Sequence, residues 1–421
     1  MQPPPDTADW APLQRRTIAT LRLAQVPGQA AVAGVVAVVT LLAGDLLGER
    51  HIRFAGVGSA AFTLGSAFLA VPLTAFMRRR GRRPGLMVAF GLGSVGAALA
   101  GIGGQSRLFV LFLVGMVLFG GAQAATLQGR YVAADLAPDH GKATAIAAIV
   151  WVGTLGAVFG PILTPYEKRV GLALGLDEFV GPFFFASVLL LVSMSVAWAR
   201  LRPDPLAVTG QLDPHARRTN PFRQVRVSAR VIATSSRAPL GLAAMVVSQA
   251  AMVAVMTMTP PHMKDHGHSD LSAYVIALHI CGMYGLAPLV GRLVARIGAV
   301  RAVMAGSVVL GAGTALTVLG GYVPALVFVG LFLLGLGWNI GLISGSSILT
   351  SAVPAGARVE VQGTADLTMS FCGGIAAFSS GFIKAAWGFH LLADSATVVA
   401  GLLLVAAYAA SLRMRATATV G

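Results

Sequence analysis

The segment MRRRGRRPGLM (Met77–Met87) places five arginines on the two sides of Gly81, between two long apolar runs. A related segment, LVARIGAVRAVM (Leu293–Met304), joins two later apolar runs and repeats the glycine at Gly298 and one arginine at Arg296. The two glycines, Gly81 and Gly298, are 217 residues apart. This repetition suggests that the chain consists of two related halves.

A second correspondence supports the duplication. LQGRYVAADLAPDHGKATAIA aligns with ISGSSILTSAVPAGARVEVQG, which pairs Pro138 with Pro354 and Lys142 with Arg358 at a spacing of 216 residues. Two distant matches at nearly one spacing indicate an internal repeat. Duplicated halves of six helices each are typical of transporters whose substrate site lies near the membrane midplane, between the repeats.

The composition indicates a membrane protein. Of the 421 residues, 56% are hydrophobic and only 11% are charged, whereas soluble domains carry roughly 25% charged residues. Apolar runs recur near the length of ~20 residues that spans a bilayer as a helix. The predicted fold is an all-α polytopic membrane protein with twelve transmembrane helices in two six-helix pseudo-repeats. The predicted spans are 18–44, 52–77, 84–104, 107–132, 141–166, 179–200, 238–261, 270–295, 299–320, 323–350, 358–386 and 388–412.

Basic residues concentrate in two of the loops. Five arginines lie in RRRGRR, and eight lie between Arg200 and Arg237 against only Asp204 and Asp213. Arginine-rich loops mark the cytoplasmic side, so we expect both termini and the central linker in the cytoplasm and the chain in a bacterial inner membrane. The net charge of +15 is then explained by topology and the lipid bilayer rather than by nucleic acid. The predicted domains are a six-helix bundle over 1–200, a basic linker over 201–237 and a second bundle over 238–421.

The sequence gives no indication of an enzyme. GLGSVG (Gly91–Gly96) has spaced glycines but lies inside a predicted span rather than after a strand, so it does not indicate a dinucleotide site. No phosphate-binding loop of the Walker type is present, which excludes ATP-driven transport by this chain alone. Close approach between helices is the simpler explanation for glycines in these spans, such as Gly115, Gly120 and Gly121. No cofactor is expected.

The arginine loop and the GTLGAVFGP run (Gly153–Pro161) resemble two motifs of the major facilitator superfamily, over essentially the whole chain. The resemblance implies a secondary transporter in which two halves rock around a central site, with Gly81, Arg82 and Arg83 in the gating loop. This sequence departs from the family at Arg78, where an aspartate is usual. The charge relay associated with that aspartate is therefore expected to be altered.

Few ionisable residues lie inside the predicted spans, and such residues are usually functional. Arg130 resembles a fourth-span arginine of the same superfamily and lies near Asp135. Asp366 in span eleven is a candidate for proton coupling or for hydrogen bonding to a neighbouring span. Asn339, next to Trp338 in span ten, is a candidate cavity residue. Glu360 and Gln362 are expected at the membrane interface.

Two pairs of side chains suggest a soft-metal site. Met252 and Met256 stand four residues apart in span seven, and His279 and Met283 stand four apart in span eight. Residues at this spacing share one helical face. From the helical rise, adjacent antiparallel spans bring Met252 and His279 to similar depth. Thioether and imidazole groups suit Cu(I), although helix-core packing explains methionine equally well.

The loop between these spans, PPHMKDHGHSD, adds His262, Met263, His266 and His268 as possible metal-capture residues on the outer face. An ordinary polar turn is the alternative interpretation. Cys281 lies two residues from both His279 and Met283, so in a helix it points away from them. Cys372 is most simply a small buried residue.

The Met-xxx-Met and His-xxx-Met pairs in spans seven and eight resemble the bacterial copper importers of cytochrome oxidase biogenesis (CcoA-like transporters). The resemblance implies copper uptake into the cytoplasm, with Met252, Met256, His279 and Met283 as ligands and a copper chaperone as a possible partner. Copper is then the transported substrate. Two alternatives remain open: an exporter of small organic or drug-like compounds, and a copper sensor or assembly subunit that does not translocate the metal.

Overall fold

The computed structural model describes residues 10–47, 57–214, 220–265, 271–319 and 323–418. The described residues are almost entirely helical and contain no strand. The predicted all-α fold with two six-helix repeats is confirmed. Apolar runs form helices because a helix satisfies every backbone polar group internally where lipid offers no partner.

Six long helices form the first half of the chain, with bounds within a few residues of most predicted spans. They are α1 (Ala11–Leu47), α2 (Val57–Arg80), α3 (Arg82–Gln105), α4 (Phe109–Ala134), α5 (Lys142–Ala173) and α6 (Gly181–Arg200). A 3₁₀ turn, Asp139–Gly141, precedes α5. The GLGSVG run lies within α3, which agrees with the rejection of a dinucleotide site.

Two shorter helices, α7 (Pro205–Val208) and α8 (Pro221–Thr234), occupy the basic linker. The second half follows as α9 (Ala238–Asp265), α10 (Ser272–Ile280), a π-helical turn (Cys281–Gly285), α11 (Ala287–Ile297), α12 (Ala299–Leu319), α13 (Pro324–Ala352) and α14 (Ala355–Ala418). The predicted eighth span thus consists of α10, the π-helical turn and α11. Its two parts are bent by 41° at the break before Ala287.

Within the described residues, ten helices are long and apolar enough to cross a membrane, and the bent pair makes an eleventh. The remaining predicted span, 358–386, forms the first part of α14, before Gly388. Gly388 has φ 84° and breaks the helical geometry there. A positive φ favours glycine, which lacks a Cβ, so this residue separates the last two predicted spans.

The internal repeat is visible in the backbone. Gly81 between α2 and α3 has φ 103°, and Gly298 between α11 and α12 has φ 85°. Close packing at glycine is also confirmed: a Cβ on Gly120 would lie 2.8 Å from the carbonyl oxygen of Phe62, and one on Gly121 would lie 2.9 Å from that of Ala89. Small residues therefore let these helix backbones approach closely.

The chain forms two compact units that do not coincide with its two sequence halves. Unit 1 comprises residues 1–138, 152–228 and 355–367, and unit 2 comprises the remaining residues. The start of α5 therefore belongs to unit 2, and the start of α14 belongs to unit 1. The predicted division into two six-helix bundles (1–200 and 238–421) and a basic linker (201–237) follows the sequence repeats and stays a prediction.

Candidate functional site

Arg82, the first residue of α3, has a fully buried side chain in unit 1. The turn at Gly81 separates it from the arginines that end α2. Its Nε and Nη2 donate to the two carboxylate oxygens of Asp135 at 2.8 and 3.1 Å. This bidentate arrangement is the strong form of an arginine–carboxylate contact. It links the start of α3 to the residue that follows α4.

The same guanidinium also binds two glutamines. Arg82 Nη1 donates to Gln128 Oε1 at 3.1 Å, and Nη2 donates to Gln362 Oε1 at 2.7 Å. Gln128 lies on α4 and Gln362 lies on α14. Arg82 therefore connects three helices through one buried cation.

A second ion pair lies beside the first. Arg130 on α4 binds Asp366 on α14, and the Tyr131 hydroxyl lies 3.5 Å from the same carboxylate. Gln128 donates through Nε2 to Asp366 Oδ2 at 2.9 Å while it accepts from Arg82. Gln128 thus joins the two ion pairs. We call the joined set the buried charge network; it comprises Arg82, Gln128, Arg130, Tyr131, Asp135, Gln362 and Asp366.

In the buried charge network, the positive charges of two arginines are matched by the negative charges of two aspartates. Burying a charge is costly unless it is paired and hydrogen-bonded, and removal of one member of a buried pair typically costs about 3–5 kcal/mol. Loss of a single member should therefore destabilise the network. Such an arrangement can hold helices together in one conformation. It can release them when water hydrates its polar groups or when one of its side chains moves away.

More exposed polar contacts surround the network. Arg78 binds Glu360 at 2.9 Å and Asp213 at 3.2 Å. Asp204 accepts the backbone N–H of Arg83 at 2.7 Å. Arg78, the position at which the sequence departs from the loop motif that it resembles, thus makes two ion pairs of its own.

The network brings together several residues that the sequence identified separately. Arg82, Arg130, Asp135 and Asp366 all belong to it. Gln362 has a fully buried side chain bonded to Arg82, and its expected depth at the membrane interface stays a prediction. Asn339 lies elsewhere, in unit 2, where its Nδ2 is 3.5 Å from the carbonyl oxygen of Gly282.

A second group of polar and aromatic side chains lies in unit 2 next to the π-helical turn. Trp338 Nε1 donates to Gln249 Oε1 at 2.7 Å. The Tyr284 ring packs edge-on against Trp338, with centroids 5.5 Å apart and an interplanar angle of 72°. We call these three residues the aromatic–amide cluster. π-Helical turns often occur at functional sites.

His279, five residues before Tyr284, is fully buried. Its Nδ1 lies 2.8 Å from the carbonyl oxygen of Leu331 on α13. A carbonyl only accepts, so Nδ1 carries the hydrogen and the neutral ring has its lone pair on Nε2. Among the described residues no hydrogen-bond partner reaches Nε2. A backbone carbonyl often orients a metal-binding imidazole in this way.

The predicted methionine ligands lie in the same unit. Met252 and Met283 are buried and Met256 is half-buried. The part of the chain that the structure describes contains no group of three or more His, Cys, Asp or Glu side chains able to hold a metal. A metal site here would therefore depend on thioether sulfur together with His279. The four-ligand arrangement stays a prediction.

The predicted capture loop differs from expectation in part. α9 continues to Asp265, so His262 and Met263 are helical and buried rather than exposed in a loop. The His262 ring stacks on Phe389 with centroids 4.2 Å apart. His266 and His268 lie outside the described residues. Metal capture by these residues stays a prediction.

Sequence reasoning missed four of the residues that complete the two sites. Gln128, Tyr131, Gln249 and Tyr284 carry no motif of their own. A usable signal was present for Gln128, since an amide in an apolar run two residues before Arg130 needs a buried partner. Cys281 is exposed, and Cys372 is partly buried.

Comparisons with known proteins agree with this architecture. The model of the Major Facilitator Superfamily matches residues 27–378. The MFS-type transporter YdeG of Bacillus subtilis (strain 168) is 35% identical over 93% of this chain and 91% of its own length. The riboflavin transporter RfnT of Brucella anthropi is 29% identical over 89% of this chain and 92% of its own. The human organic anion transporter MFSD10 (TETRAN) has a TM-score of 0.77 at 17% identity, covering 96% of this chain and 100% of its own.

Proposed function

Because this chain belongs to the major facilitator superfamily of membrane transporters, we propose that it moves a small planar organic solute across the membrane by alternating access. The aromatic–amide cluster of Gln249, Tyr284 and Trp338 is the observation that carries this proposal. Aromatic rings give a planar solute a surface for stacking, and an amide supplies both a donor and an acceptor.

The surroundings of the cluster suit a binding site. Trp338 and Gln249 are already hydrogen-bonded to each other, so their orientations are fixed before a solute arrives. Such preorganisation reduces the entropy lost on binding. The adjacent π-helical turn and the bend in span eight provide a segment able to change shape as the protein alternates. The relative RfnT, named as a riboflavin transporter, supports a planar heteroaromatic solute.

Riboflavin uptake into proteoliposomes tests this proposal. We expect wild-type protein to accumulate riboflavin and Trp338→Ala to lower the initial rate by roughly tenfold, because ring stacking is lost. Trp387→Ala is the matched control, since Trp387 is exposed, and it should leave the rate unchanged. A wild-type protein that neither transports nor binds riboflavin or related planar heteroaromatic compounds would contradict the proposal.

The buried charge network is proposed to keep one end of the spans closed. Arg82 and Arg130 come from the first sequence half, whereas Gln362 and Asp366 come from the second, so their bonds tie the two repeats together at the end where α2 meets α3. Opening at that end requires these bonds to break. We expect Asp366→Asn to slow net uptake more than it weakens riboflavin binding. Equal transport by wild type and Asp366→Asn would exclude this role.

Copper import into the cytoplasm is a second candidate function. The unpartnered Nε2 of His279, among the described residues, and the buried thioethers of Met252 and Met283 favour it. In cells lacking their own importer, we expect radioactive copper uptake that is lost in Met256→Ala and His279→Ala at equal protein level. Uptake no higher than in empty-vector cells would exclude copper. A copper chaperone as recipient stays a prediction.

The orientation in the bacterial inner membrane is also proposed. The arginines of the loop between α2 and α3 and of the linker favour a cytoplasmic position for both termini. A C-terminal green fluorescent protein fusion should then fluoresce, and a C-terminal alkaline phosphatase fusion should be inactive. The reverse pair of results would invert the topology.

A further inference from the structure

The linker helix α8 has two chemically distinct faces. Its inner face carries Gln224, Ser228 and Ile232, which recur every four residues and are buried. Gln224 Nε2 lies 3.3 Å from the carbonyl oxygen of Val71 and 3.5 Å from Thr74 Oγ1 on α2. These contacts attach the start of α8 to the side of a membrane-spanning helix.

The outer face is basic and contains apolar side chains. Arg223, Arg226 and Arg230 are exposed and, at a helical repeat of 100° per residue, lie within one narrow sector. Phe222 and Val227 flank that sector and are 86% and 47% exposed. We call this set of five residues the outer face of α8.

The arginines of the outer face have no acidic neighbours in sequence. Asp213 and Asp265 are the nearest acidic residues on either side of α8. Within the described part of the chain, no salt bridge involves Arg223, Arg226 or Arg230. The outer face thus presents three uncompensated cations together with a protruding phenyl ring.

The chain keeps α8 close to the bilayer. α8 ends at Thr234 and the next span begins at Ala238, and four residues reach at most about 14 Å. Its other end is fixed to α2 through Gln224. The helix therefore lies near the level at which the spans enter the headgroup region.

We propose that the outer face of α8 binds anionic phospholipid headgroups of the adjacent leaflet, with Phe222 inserted beside them. Basic residues near a membrane surface attract anionic lipid, and an aromatic side chain adds apolar contact in the interface. The combination favours a lipid surface over a soluble polyanion, because a soluble partner does not require the exposed phenyl ring. This binding is independent of which solute the protein transports.

Hydrogen–deuterium exchange of the full-length protein in nanodiscs tests the proposal. We expect amides of 220–234 to exchange roughly tenfold more slowly in discs of phosphatidylcholine with phosphatidylglycerol than in discs of phosphatidylcholine alone. About 0.5 M NaCl should remove most of that protection, because salt screens the attraction. The triple variant Arg223→Gln, Arg226→Gln, Arg230→Gln should also lose it.

A matched control makes the test specific. Arg15, Arg16 and Arg22 on α1 are also exposed, and their triple change to Gln removes equal charge while leaving the protection of α8 intact. Phe222→Ala should reduce the protection in part. Equal exchange in both kinds of disc, or equal protection by inorganic phosphate added to phosphatidylcholine discs, would overturn the proposal.

Discussion

The helices α4 and α13 hold equivalent positions in the two sequence repeats but are stabilised differently. At the repeat spacing of 216, Gln128 corresponds to Ser344 and Arg130 corresponds to Ser346. The first pair belongs to the buried charge network, which reaches α14. Ser344 instead donates to the carbonyl oxygen of Ile340 within its own helix, at 2.5 Å.

At the equivalent level of α13, the contact with a neighbouring helix is close backbone packing rather than an ion pair. A Cβ added at Gly345 would lie 2.6 Å from the carbonyl oxygen of Gly241 on α9 and 2.8 Å from Met245 Cγ. The duplication thus conserves helices and turns while the contacts between helices differ. Ion pairs depend on solvation and on their partners, whereas close packing depends on shape. We therefore expect the buried charge network to be the part that opens during transport.

The largest effect is expected from breaking one ion pair. Asp366→Ala removes the carboxylate that binds Arg130 and accepts from Gln128, and should lower the free energy of unfolding by about 3–5 kcal/mol. Asp394→Ala is the control, because Asp394 is exposed. Thermal unfolding in detergent measures both.

The double variant Asp366→Ala, Arg130→Gln sharpens the result. Because it removes both charges, it should cost less than the two single changes together, by about 0.5–3 kcal/mol. Strict additivity, or an Asp366→Ala effect no larger than that of Asp394→Ala, would show that the network contributes little.

The sequence was sufficient for the spans and the two glycine turns, and it singled out Arg130, Asp135 and Asp366, which the structure places in one buried network. It was not sufficient for the burial of Arg82, because an arginine in RRRGRR is normally a solvated topology signal. Its burial follows from bonds to residues 46, 53 and 280 positions away. Contacts over such separations depend on which helix faces meet, and hydropathy does not encode that.

An intermediate effect is expected where α13 packs on α9. Gly345→Ala introduces a methyl group against Gly241 and Met245, and overpacking of this kind typically costs about 1–3 kcal/mol. Gly401→Ala is the matched control, because a Cβ there meets nothing within 4 Å. It should be neutral or slightly stabilising, since alanine favours helix. Similar unfolding temperatures for the two variants would mean that α13 and α9 shift at little energetic cost to accommodate the added methyl group.

The smallest effect is expected from the serine that replaces a network glutamine. Ser344→Ala removes a hydroxyl whose hydrogen bond, within the residues that the structure describes, is to its own helix backbone, so it should cost less than about 1 kcal/mol. Gln128→Ala, at the equivalent position, leaves Arg82 and Asp366 each short of one bond and should cost clearly more. Unfolding free energies of the two variants in the same detergent measure the difference. If Ser344→Ala is as damaging as Gln128→Ala, the asymmetry between the repeats lies in the backbone rather than in these side chains, and opening would not be confined to the charged end of α4.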